Sequence, residues 1–423
     1  MKTKAAVLDG KNSIFIREFD LPQITGDELL VEVVSNSICL SEYKAAILGA
    51  EHKRVPPDIS DRPIMTGHEF GGIIQQVGHN LKGRFSQGDK FVLQPAMGLE
   101  NGYSAGYSFE YFGGNATYCI IPKIAIDLGC VLPFDGDYFA DASLAEPMSC
   151  IIGAFRSNYH TKPFVYEHQM GILKSGNLAI LGCGGPMGIG AIDYAINGPI
   201  TPKKIVATDI DQERLNRTKS LLPPQEASKK DIELIYLNTN HVDPYAELIK
   251  LSDGKGYDDV FVLAPVLQLV ELAGDILGND GCLNFFAGPI DKKFKVPFNF
   301  YNVHYESTHV VGTSGGSTGD MMEAIELSTQ GKIRPSLMVS HIGGLNAVPK
   351  TILNLPNIPG GKKLIYPHID MDLVAIADFR KLGASSSLFK TLADICESNN
   401  NCWCADAEKY LLTSTKNKQH TSA

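Results

Sequence analysis

The stretch NLAILGCGGPMGIGAIDYAI, residues 177–196, combines an apolar strand, a glycine-rich turn and the start of a helix. A turn of this kind lets the backbone approach a pyrophosphate at the positive end of the helix. The next strand, KKIVATDI (203–210), contains Asp209, 21 residues after Gly188. A carboxylate at that distance can accept hydrogen bonds from adenosine ribose hydroxyls, so the pattern predicts a dinucleotide site. The alternative is a glycine turn that serves only the close packing of helix on sheet.

The glycine pattern departs from G-x-G-x-x-G, because either Cys183 stands where the first glycine belongs or one residue is inserted. We expect Asp209 to repel a 2′-phosphate and to favour NAD(H) over NADP(H), although Arg214, five residues later, could offset that preference. The candidate cofactor-binding residues are Gly182, Gly184, Gly185, Pro186, Met187, Gly188, Asp209 and Arg214.

Around this motif the chain alternates apolar strands with helical segments, from NLAILG (177–182) to GCLNFFAG (281–288). The alternation predicts an α/β fold with a doubly wound parallel sheet covered by helices on both faces. The first 145 residues instead read as short strands between glycine and proline turns, which predicts an antiparallel, barrel-like β domain. We expect domains at residues 1–148, 149–312 and 313–423, the last ending in a helical tail from His368.

The overall composition excludes several classes of protein. The 423 residues are 44% hydrophobic and 20% charged, with a formal net charge of −9, which gives no electrostatic footprint for nucleic acid. No window approaches the roughly 18 apolar residues of a membrane span. The opening MKTKAAVLDG lacks the apolar core of a signal peptide. We therefore predict a cytoplasmic protein without nucleic-acid or membrane partners, whose nine cysteines are mostly reduced.

A second motif, IMTGHEFGGIIQQVG (64–78), places His68 and Glu69 side by side between glycines. In an undistorted strand the two side chains would point to opposite faces, but Gly67 permits a distortion that turns both toward one ion. With Cys39 and Glu146 they form a candidate zinc site. Read singly, each has a plainer explanation: a core cysteine, a structural histidine, a strand-edge charge and a carboxylate near a helix N-terminus. Spacing alone does not decide between these interpretations.

Residues 67–78 resemble the zinc signature of the medium-chain alcohol and polyol dehydrogenases, G-H-E-x-x-G-x-x-x-x-x-G. Other parts of that family's pattern follow in order: a C-x-S at residues 39–41, GDKFVLQP (88–95), GGNATYCIIP (113–122) and then the nucleotide domain. The resemblance covers roughly residues 1–366. It implies a GroES-like catalytic domain, a Rossmann domain and a return of the chain to the catalytic domain.

The same resemblance implies roles for the candidate site residues. Cys39, His68 and Glu69 would ligate a catalytic zinc ion, with Glu146 in or next to the coordination shell, as in the sorbitol-type members. Ser41 matches the proton-relay hydroxyl, and Glu42 is expected to orient a ligand. Many members bind a structural zinc through four cysteines near residues 95–115, a stretch that contains no cysteine here. We therefore expect one zinc ion per chain.

The end of the chain is similar to the L-sorbose-1-phosphate reductase subgroup, through residues 303–327 and 377–398. That similarity implies reduction of L-sorbose 1-phosphate to D-glucitol 6-phosphate. A phosphate needs a cation near the cleft, and GAEHKRVP (49–56) supplies Lys53 and Arg54, with Lys44 and His52 as further candidates. The alternative is an ordinary solvated loop charge.

Two other functions compete with this one. A sorbitol or galactitol-1-phosphate dehydrogenase would differ only in substrate. A non-catalytic dinucleotide-binding protein on the same fold would need no metal, but it would not require the cysteine, histidine and glutamates together with Ser41. By analogy with the family we expect a homo-oligomer.

Overall fold

The computed structural model describes residues 1–420 and the side chains of residues 1–415. The chain forms two compact units: a discontinuous unit of Met1–Glu146 and the chain from Pro335 onward, and a middle unit of Pro147–Arg334. The middle unit extends beyond the 149–312 expected from the sequence. Its last helix, Thr318–Thr329, contributes Asp320, which accepts a hydrogen bond from Arg156 at 2.6 Å, and so belongs with this unit.

The first part of the discontinuous unit is mostly short strands, as the glycine and proline turns predict. The strands are β1 (Lys2–Gly10), β2 (Ser13–Asp20), β3 (Leu29–Ile38), β4 (Ile64–Met65), β5 (Glu69–Val77), β6 (Lys90–Leu93), β7 (Tyr118–Ile121) and β8 (Val131–Pro133). The helices are α1 (Leu40–Leu48), α2 (Lys123–Asp127) and α3 (Phe139–Ser157), of which the residues after Glu146 belong to the middle unit.

The middle unit is a strand–helix alternation. Its strands are β9 (Tyr159–Lys162), β10 (Val165–Met170), β11 (Asn177–Leu181), β12 (Lys204–Asp209), β13 (Glu233–Asn238), β14 (Tyr257–Val262), β15 (Leu277–Phe285) and β16 (His309–Gly312). Its helices are α4 (Pro186–Asn197), α5 (Gln212–Leu221), α6 (Pro224–Ser228), α7 (Pro244–Leu251), α8 (Leu267–Asp275), α9 (Phe300–Tyr305) and α10 (Thr318–Thr329). Six strands pair in parallel in the order β13-β12-β11-β14-β15-β16. This is the doubly wound order of a Rossmann domain, so the predicted fold class is confirmed.

The chain then returns to the discontinuous unit. It adds β17 (Val339–Gly344), β18 (Lys362–Tyr366) and β19 (Val374–Ala375), followed by the helical tail; the helices are α11 (Val348–Asn354), α12 (Phe379–Leu382), α13 (Ser387–Ser398) and α14 (Ala405–His420). The main sheet runs β19-β17-β18-β3-β5-β6-β8, with β7 also pairing with β3, and only its β17–β18 pair is parallel. A smaller sheet runs β2-β1-β4. None of the helices within residues 1–420 combines the length and apolar composition that a bilayer-spanning segment needs.

Candidate metal centre and cofactor loop

Local backbone geometry brings three candidate ligands of the discontinuous unit together. Cys39 follows β3 in an extended conformation and precedes the first turn of α1. Gly67 has a φ of +92°, and a Cβ there would lie 2.3 Å from the backbone nitrogen of Asn115. Because of that turn, His68 precedes β5 instead of lying in it, and its side chain faces the same point as that of Glu69. Glycine is required at position 67 for both conformational and steric reasons.

The sulfur of Cys39, a ring nitrogen of His68 and a carboxylate oxygen of Glu69 all lie within 4.8 Å of one another. Among the described residues, the structure contains one group of three or more side chains of the kinds that bind metal ions, and it is this one. Thiolate, imidazole and carboxylate are the donor types that zinc takes in catalytic sites, where three protein ligands leave one position open. The donor set therefore fits a zinc ion.

The orientation of the His68 ring supports the same assignment. Its Nε2 lies 4.0 Å from Oε1 of Glu69, whereas its Nδ1 is buried without a hydrogen-bond partner, 3.7 Å from Oε1 of Glu42. Burial, reinforced by the charges of Arg54 and Lys362, lowers the pKa of His68 well below its ordinary value, so the ring is neutral. A neutral ring that binds a metal through Nε2 carries its proton on Nδ1, where the carboxylate of Glu42 can accept it.

Glu42 is held in place from two sides. Its Oε2 accepts a hydrogen bond from the side chain of Asn115 at 2.8 Å, and its Oε1 accepts one from the backbone of Cys39 at 3.2 Å. Burial raises the pKa of Glu42 to about 8 and that of the Cys39 thiol to about 12. Burial disfavours the charged forms of both acids, whereas a nearby positive charge favours them. A bound cation would therefore be stabilised by these groups.

The carboxylate of Glu69 already has a cationic partner, which sequence reasoning missed. Nζ of Lys362, on β18, donates to both oxygens of Glu69, at 2.7 Å to Oε2 and closer to Oε1, and Ser37 also donates to Oε2. Burial alone would lower the pKa of Lys362, but the charges of Glu69 and Cys39 raise it above its ordinary value, so the ammonium stays protonated. Glu69 is thus shared between the candidate metal position and a buried ion pair.

Glu146 lies close to this group without being one of the three converging donors. It is buried on α3, and its charge raises the pKa of both Cys39 and Lys362. That position is compatible with a place in or next to a metal coordination shell, as the family resemblance implies.

Ser41 accepts a hydrogen bond from a side chain that the sequence reasoning did not name. The hydroxyl of Tyr107 donates to Oγ of Ser41 at 2.6 Å and lies 3.3 Å from Nε2 of His68. Tyr107 is fully buried, and burial raises its pKa well above the ordinary value, so it keeps its proton. It lies within the stretch 95–115, which lacks cysteine, and no motif in that stretch marks the tyrosine.

Of the two predicted phosphate ligands, Arg54 is the one directed toward this group. Its guanidinium carbon lies 5.1 Å from the centre of the Tyr107 ring, and Ser108 donates to its carbonyl oxygen at 2.6 Å. Lys53 is exposed, and neither residue has an ion pair within the part of the chain whose side chains are described. His52 stacks on the Tyr107 ring at 5.8 Å, and burial lowers its pKa to about 4, so it is neutral.

The glycine loop of the middle unit has the geometry of a dinucleotide turn. Gly182 has a φ of +81°, and a Cβ at Gly188 would lie 2.2 Å from the carbonyl oxygen of Cys183. Gly185 precedes α4, whose first two positions are Pro186 and Met187, so the positive end of a 12-residue helix opens at the loop. These glycines let the backbone lie where a pyrophosphate would bind.

Asp209 closes the loop on its other side. Its Oδ2 accepts a hydrogen bond from the backbone nitrogen of Gly184 at 2.8 Å, and its Oδ1 accepts one from that of Asp211 at 3.0 Å. Arg214 is exposed beside it and lies 3.5 Å from Asp211. The structure therefore brings together the predicted cofactor-binding residues, with a carboxylate where a ribose would lie.

Comparison with known proteins gives a consistent result. Residues 25–128 match the model of the alcohol dehydrogenase GroES-like domain. The chain is 64% identical to mannitol-1-phosphate 5-dehydrogenase of Aliivibrio fischeri, over 97% of each chain. It is 42% identical to L-sorbose 1-phosphate reductase of Klebsiella pneumoniae, over 99% of each. The crystal structure of galactitol-1-phosphate dehydrogenase from Escherichia coli has a similar fold, with a TM-score of 0.66 and 21% identity over 86% of this chain and 100% of that one.

Proposed function

The chain belongs to the zinc-dependent medium-chain alcohol and polyol dehydrogenase family, and on that premise we propose that it interconverts a ketose phosphate and a polyol phosphate. It is a zinc-type NAD(P)-linked dehydrogenase, so the alternative of a non-catalytic dinucleotide-binding protein is set aside. One observation supports a phosphorylated substrate in this proposal. The guanidinium of Arg54 stacks on Tyr107, a buried side chain that contacts Ser41.

Two substrate pairs follow from the names of the relatives. The greater identity to a mannitol-1-phosphate 5-dehydrogenase favours D-mannitol 1-phosphate and D-fructose 6-phosphate. The resemblance of the chain's end, and the relative of lower identity, support L-sorbose 1-phosphate and D-glucitol 6-phosphate. In the first pair the reacting carbon and the phosphate are at opposite ends of the sugar, and in the second pair they are on adjacent carbons. The two pairs therefore place different demands on the position of Arg54.

The side chains of the site have separate tasks in this reaction. Cys39, His68 and an acidic group would hold the zinc ion, which would supply a Lewis acid for the substrate oxygen, and the nicotinamide would supply the hydride. Because Tyr107 donates to Ser41, the proton of the Ser41 hydroxyl is free to be donated to the oxygen of the reduced carbon. Arg54 would bind the phosphate through a charge-assisted, bidentate contact.

The cofactor and metal content are also proposals. We propose NAD(H) as the preferred cofactor, supported by the carboxylate of Asp209 at the loop. We propose one zinc ion per chain, supported by the absence of cysteine from residues 95–115. A homo-oligomer in the cytoplasm stays a prediction from the sequence, to be measured by light scattering and by cell fractionation.

The proposal is tested by following NADH and NADPH oxidation with D-fructose 6-phosphate, L-sorbose 1-phosphate and free L-sorbose, before and after chelation. We expect zinc-dependent turnover of a phosphorylated ketose, with NADH preferred. Turnover of free L-sorbose as efficient as that of either phosphate would contradict the phosphate assignment and leave a general polyol dehydrogenase.

The phosphate contact has a matched pair of variants. Arg54→Ala should raise KM for the phosphorylated ketose by about ten- to a hundredfold, since a hydrogen bond to a charged group is worth roughly 1.5–3 kcal/mol. It should leave KM for an unphosphorylated ketose unchanged. Lys53→Ala is the control, because Lys53 is exposed and adjacent in sequence. Equal effects of the two variants would show that Arg54 makes no specific contact.

A further inference from the structure

The helical tail from His368 is tied to the discontinuous unit through a buried aromatic cluster. Trp403 is fully buried, with its ring centre 6.1 Å from that of Tyr366 and 6.3 Å from that of Phe379. Its indole nitrogen donates to the hydroxyl of Tyr366 at 2.7 Å. Since Tyr366 ends β18, which begins with Lys362, the tail is anchored to the strand that carries the buried cation of the metal site.

Within the tail, Glu408 caps a helix that lies more than 260 residues earlier in the chain. Its two carboxylate oxygens accept hydrogen bonds from the backbone nitrogens of Phe139 at 2.8 Å and Ala140 at 2.9 Å. These are the first two residues of α3, whose N–H groups have no partner inside the helix. Tyr138, which precedes them, lacks the short side-chain oxygen that usually fills this role. Glu408 is only 2% exposed, so the cap is a buried contact.

The same helix packs directly on the strands that carry the metal ligands. Ser35, on β3, donates to the carbonyl oxygen of Phe139 at 2.5 Å. A Cβ at Gly71, two residues after Glu69 on β5, would lie 2.6 Å from the Cβ of Ala142, so glycine allows α3 to approach the sheet closely. The first turn of α3 is therefore fixed on one side by the sheet and at its end by Glu408.

Glu146 follows Phe139 by seven residues, which is about two helical turns, and so projects from the same side of α3. A displacement of the first turn of α3 is transmitted to Glu146 because the intervening turns are a rigid hydrogen-bonded segment. The acidic side chain beside the metal site thus depends on a cap that the end of the chain supplies.

We propose that Glu408 is a positioning residue of the metal site: by holding the N-terminus of α3, it sets the place of Glu146 relative to Cys39 and His68. The tail from His368 is then a structural component of the metal centre. This inference rests on the proposed function, because it requires that the site bind zinc with Glu146 in or next to the coordination shell.

The test uses the full-length, zinc-loaded enzyme and the variant Glu408→Gln, with Asp406→Asn as the control. Asp406 is exposed two residues before Glu408 on α14, so its substitution removes a charge from the same helix without touching α3. Glutamine keeps the shape of Glu408 but places an NH₂ group against one of the two backbone donors, which breaks one of the bonds to α3. The measurements are the zinc dissociation constant by chelator competition and the visible spectrum of the cobalt-substituted enzyme.

For Glu408→Gln we expect the zinc dissociation constant to rise by about tenfold, as is typical when a group supporting the ligands is changed. We also expect altered cobalt ligand-field bands and unchanged NADH binding by the middle unit. Asp406→Asn should match the wild type in all three. If Glu408→Gln folds, by circular dichroism, and keeps the wild-type zinc affinity and cobalt spectrum, Glu408 only stabilises the fold and the inference is wrong.

Should Glu408→Gln fail to fold, Tyr366→Phe replaces it, because this variant removes the 3.2 Å hydrogen bond from Tyr366 to Glu408, together with the one that Trp403 donates to Tyr366, and leaves both bonds to α3 intact. A shift of the zinc dissociation constant in the same direction, smaller than tenfold, supports the inference, and an unchanged constant and spectrum overturn it. Failure of the proposed function is distinguishable, because wild-type enzyme would then bind no zinc and turn over no ketose phosphate. If the wild type does both and neither variant perturbs the metal, only the positioning role is refuted.

Discussion

Replacing Lys362 with methionine should destabilise the discontinuous unit strongly in the absence of metal. Lys362 is 5% exposed and its ammonium group contacts both oxygens of Glu69, which is itself fully buried. Removing one partner of a buried ion pair leaves an uncompensated charge and typically costs about 3–5 kcal/mol. We therefore expect the free energy of unfolding of chelated Lys362→Met to fall by about that amount. The measurement is urea unfolding followed by circular dichroism, with excess chelator present.

The double variant Lys362→Met/Glu69→Gln shows whether the loss comes from the stranded charge. Glutamine removes the charge that methionine leaves unpaired, so the double variant should recover most of the lost stability. Lys350→Met, at an exposed position, is the control for loss of a lysine and should change stability by less than about 0.5 kcal/mol. A loss below about 1 kcal/mol for Lys362→Met, or a double variant no more stable than the single one, would refute the reasoning.

Three further predictions concern other parts of the molecule. Tyr107→Phe removes the 2.6 Å hydrogen bond to Ser41 and should lower kcat about tenfold, the equivalent of one hydrogen bond, with zinc content unchanged by metal analysis. Asp209→Asn should lower kcat/KM for NADH about tenfold or more and raise kcat/KM for NADPH. If steady-state assays give the same ratio of the two kcat/KM values as in the wild type, the assignment of Asp209 to the ribose is contradicted. Burial raises the pKa of Glu408 from 4.5 to about 7, so its contribution to stability, at most about 3 kcal/mol, is fully present below about pH 4.5 and lost as the pH rises through about 7. Glu408→Gln should lack that part of the pH dependence in urea unfolding at pH 5 and pH 7.5, whereas the part due to Asp141, whose pKa burial also raises to about 7, should persist.

The parts of the molecule that the sequence predicted are those whose determinants lie close together along the chain. The glycine turn and Asp209 belong to consecutive strands, so their contact follows from the strand–turn–helix pattern. Likewise Gly67 lies beside His68 and Glu69, and its freedom to adopt a positive φ explains how two adjacent side chains face one point. In both cases residues close together along the chain were sufficient for the prediction.

The contacts that the sequence did not predict join distant segments. Lys362 lies 293 residues from Glu69, and nothing in GGKKLIYP distinguishes it from Lys363, whose ammonium group donates to the carbonyl oxygen of Gly361 at 2.7 Å. Which of two adjacent lysines reaches a buried carboxylate depends on strand register, which only tertiary structure fixes. For the same reason the preference for Arg54 over Lys53 depends on the place of the Tyr107 ring, to which sequence spacing gives no access.

The discontinuity of the outer unit has a consequence for the order in which the protein matures during synthesis. Glu69 precedes its cation by 293 residues, so at about 5–20 residues per second Lys362 is made roughly 15–60 seconds later. The middle unit is complete at Arg334, before either Lys362 or Glu408 is made, so it can fold before Glu69 acquires its ammonium partner. A nascent chain can therefore acquire its Rossmann fold first and complete its candidate metal centre last. Ribosome stalling or proteolysis before Glu408 would leave a chain with the complete middle unit but without the carboxylate that caps α3.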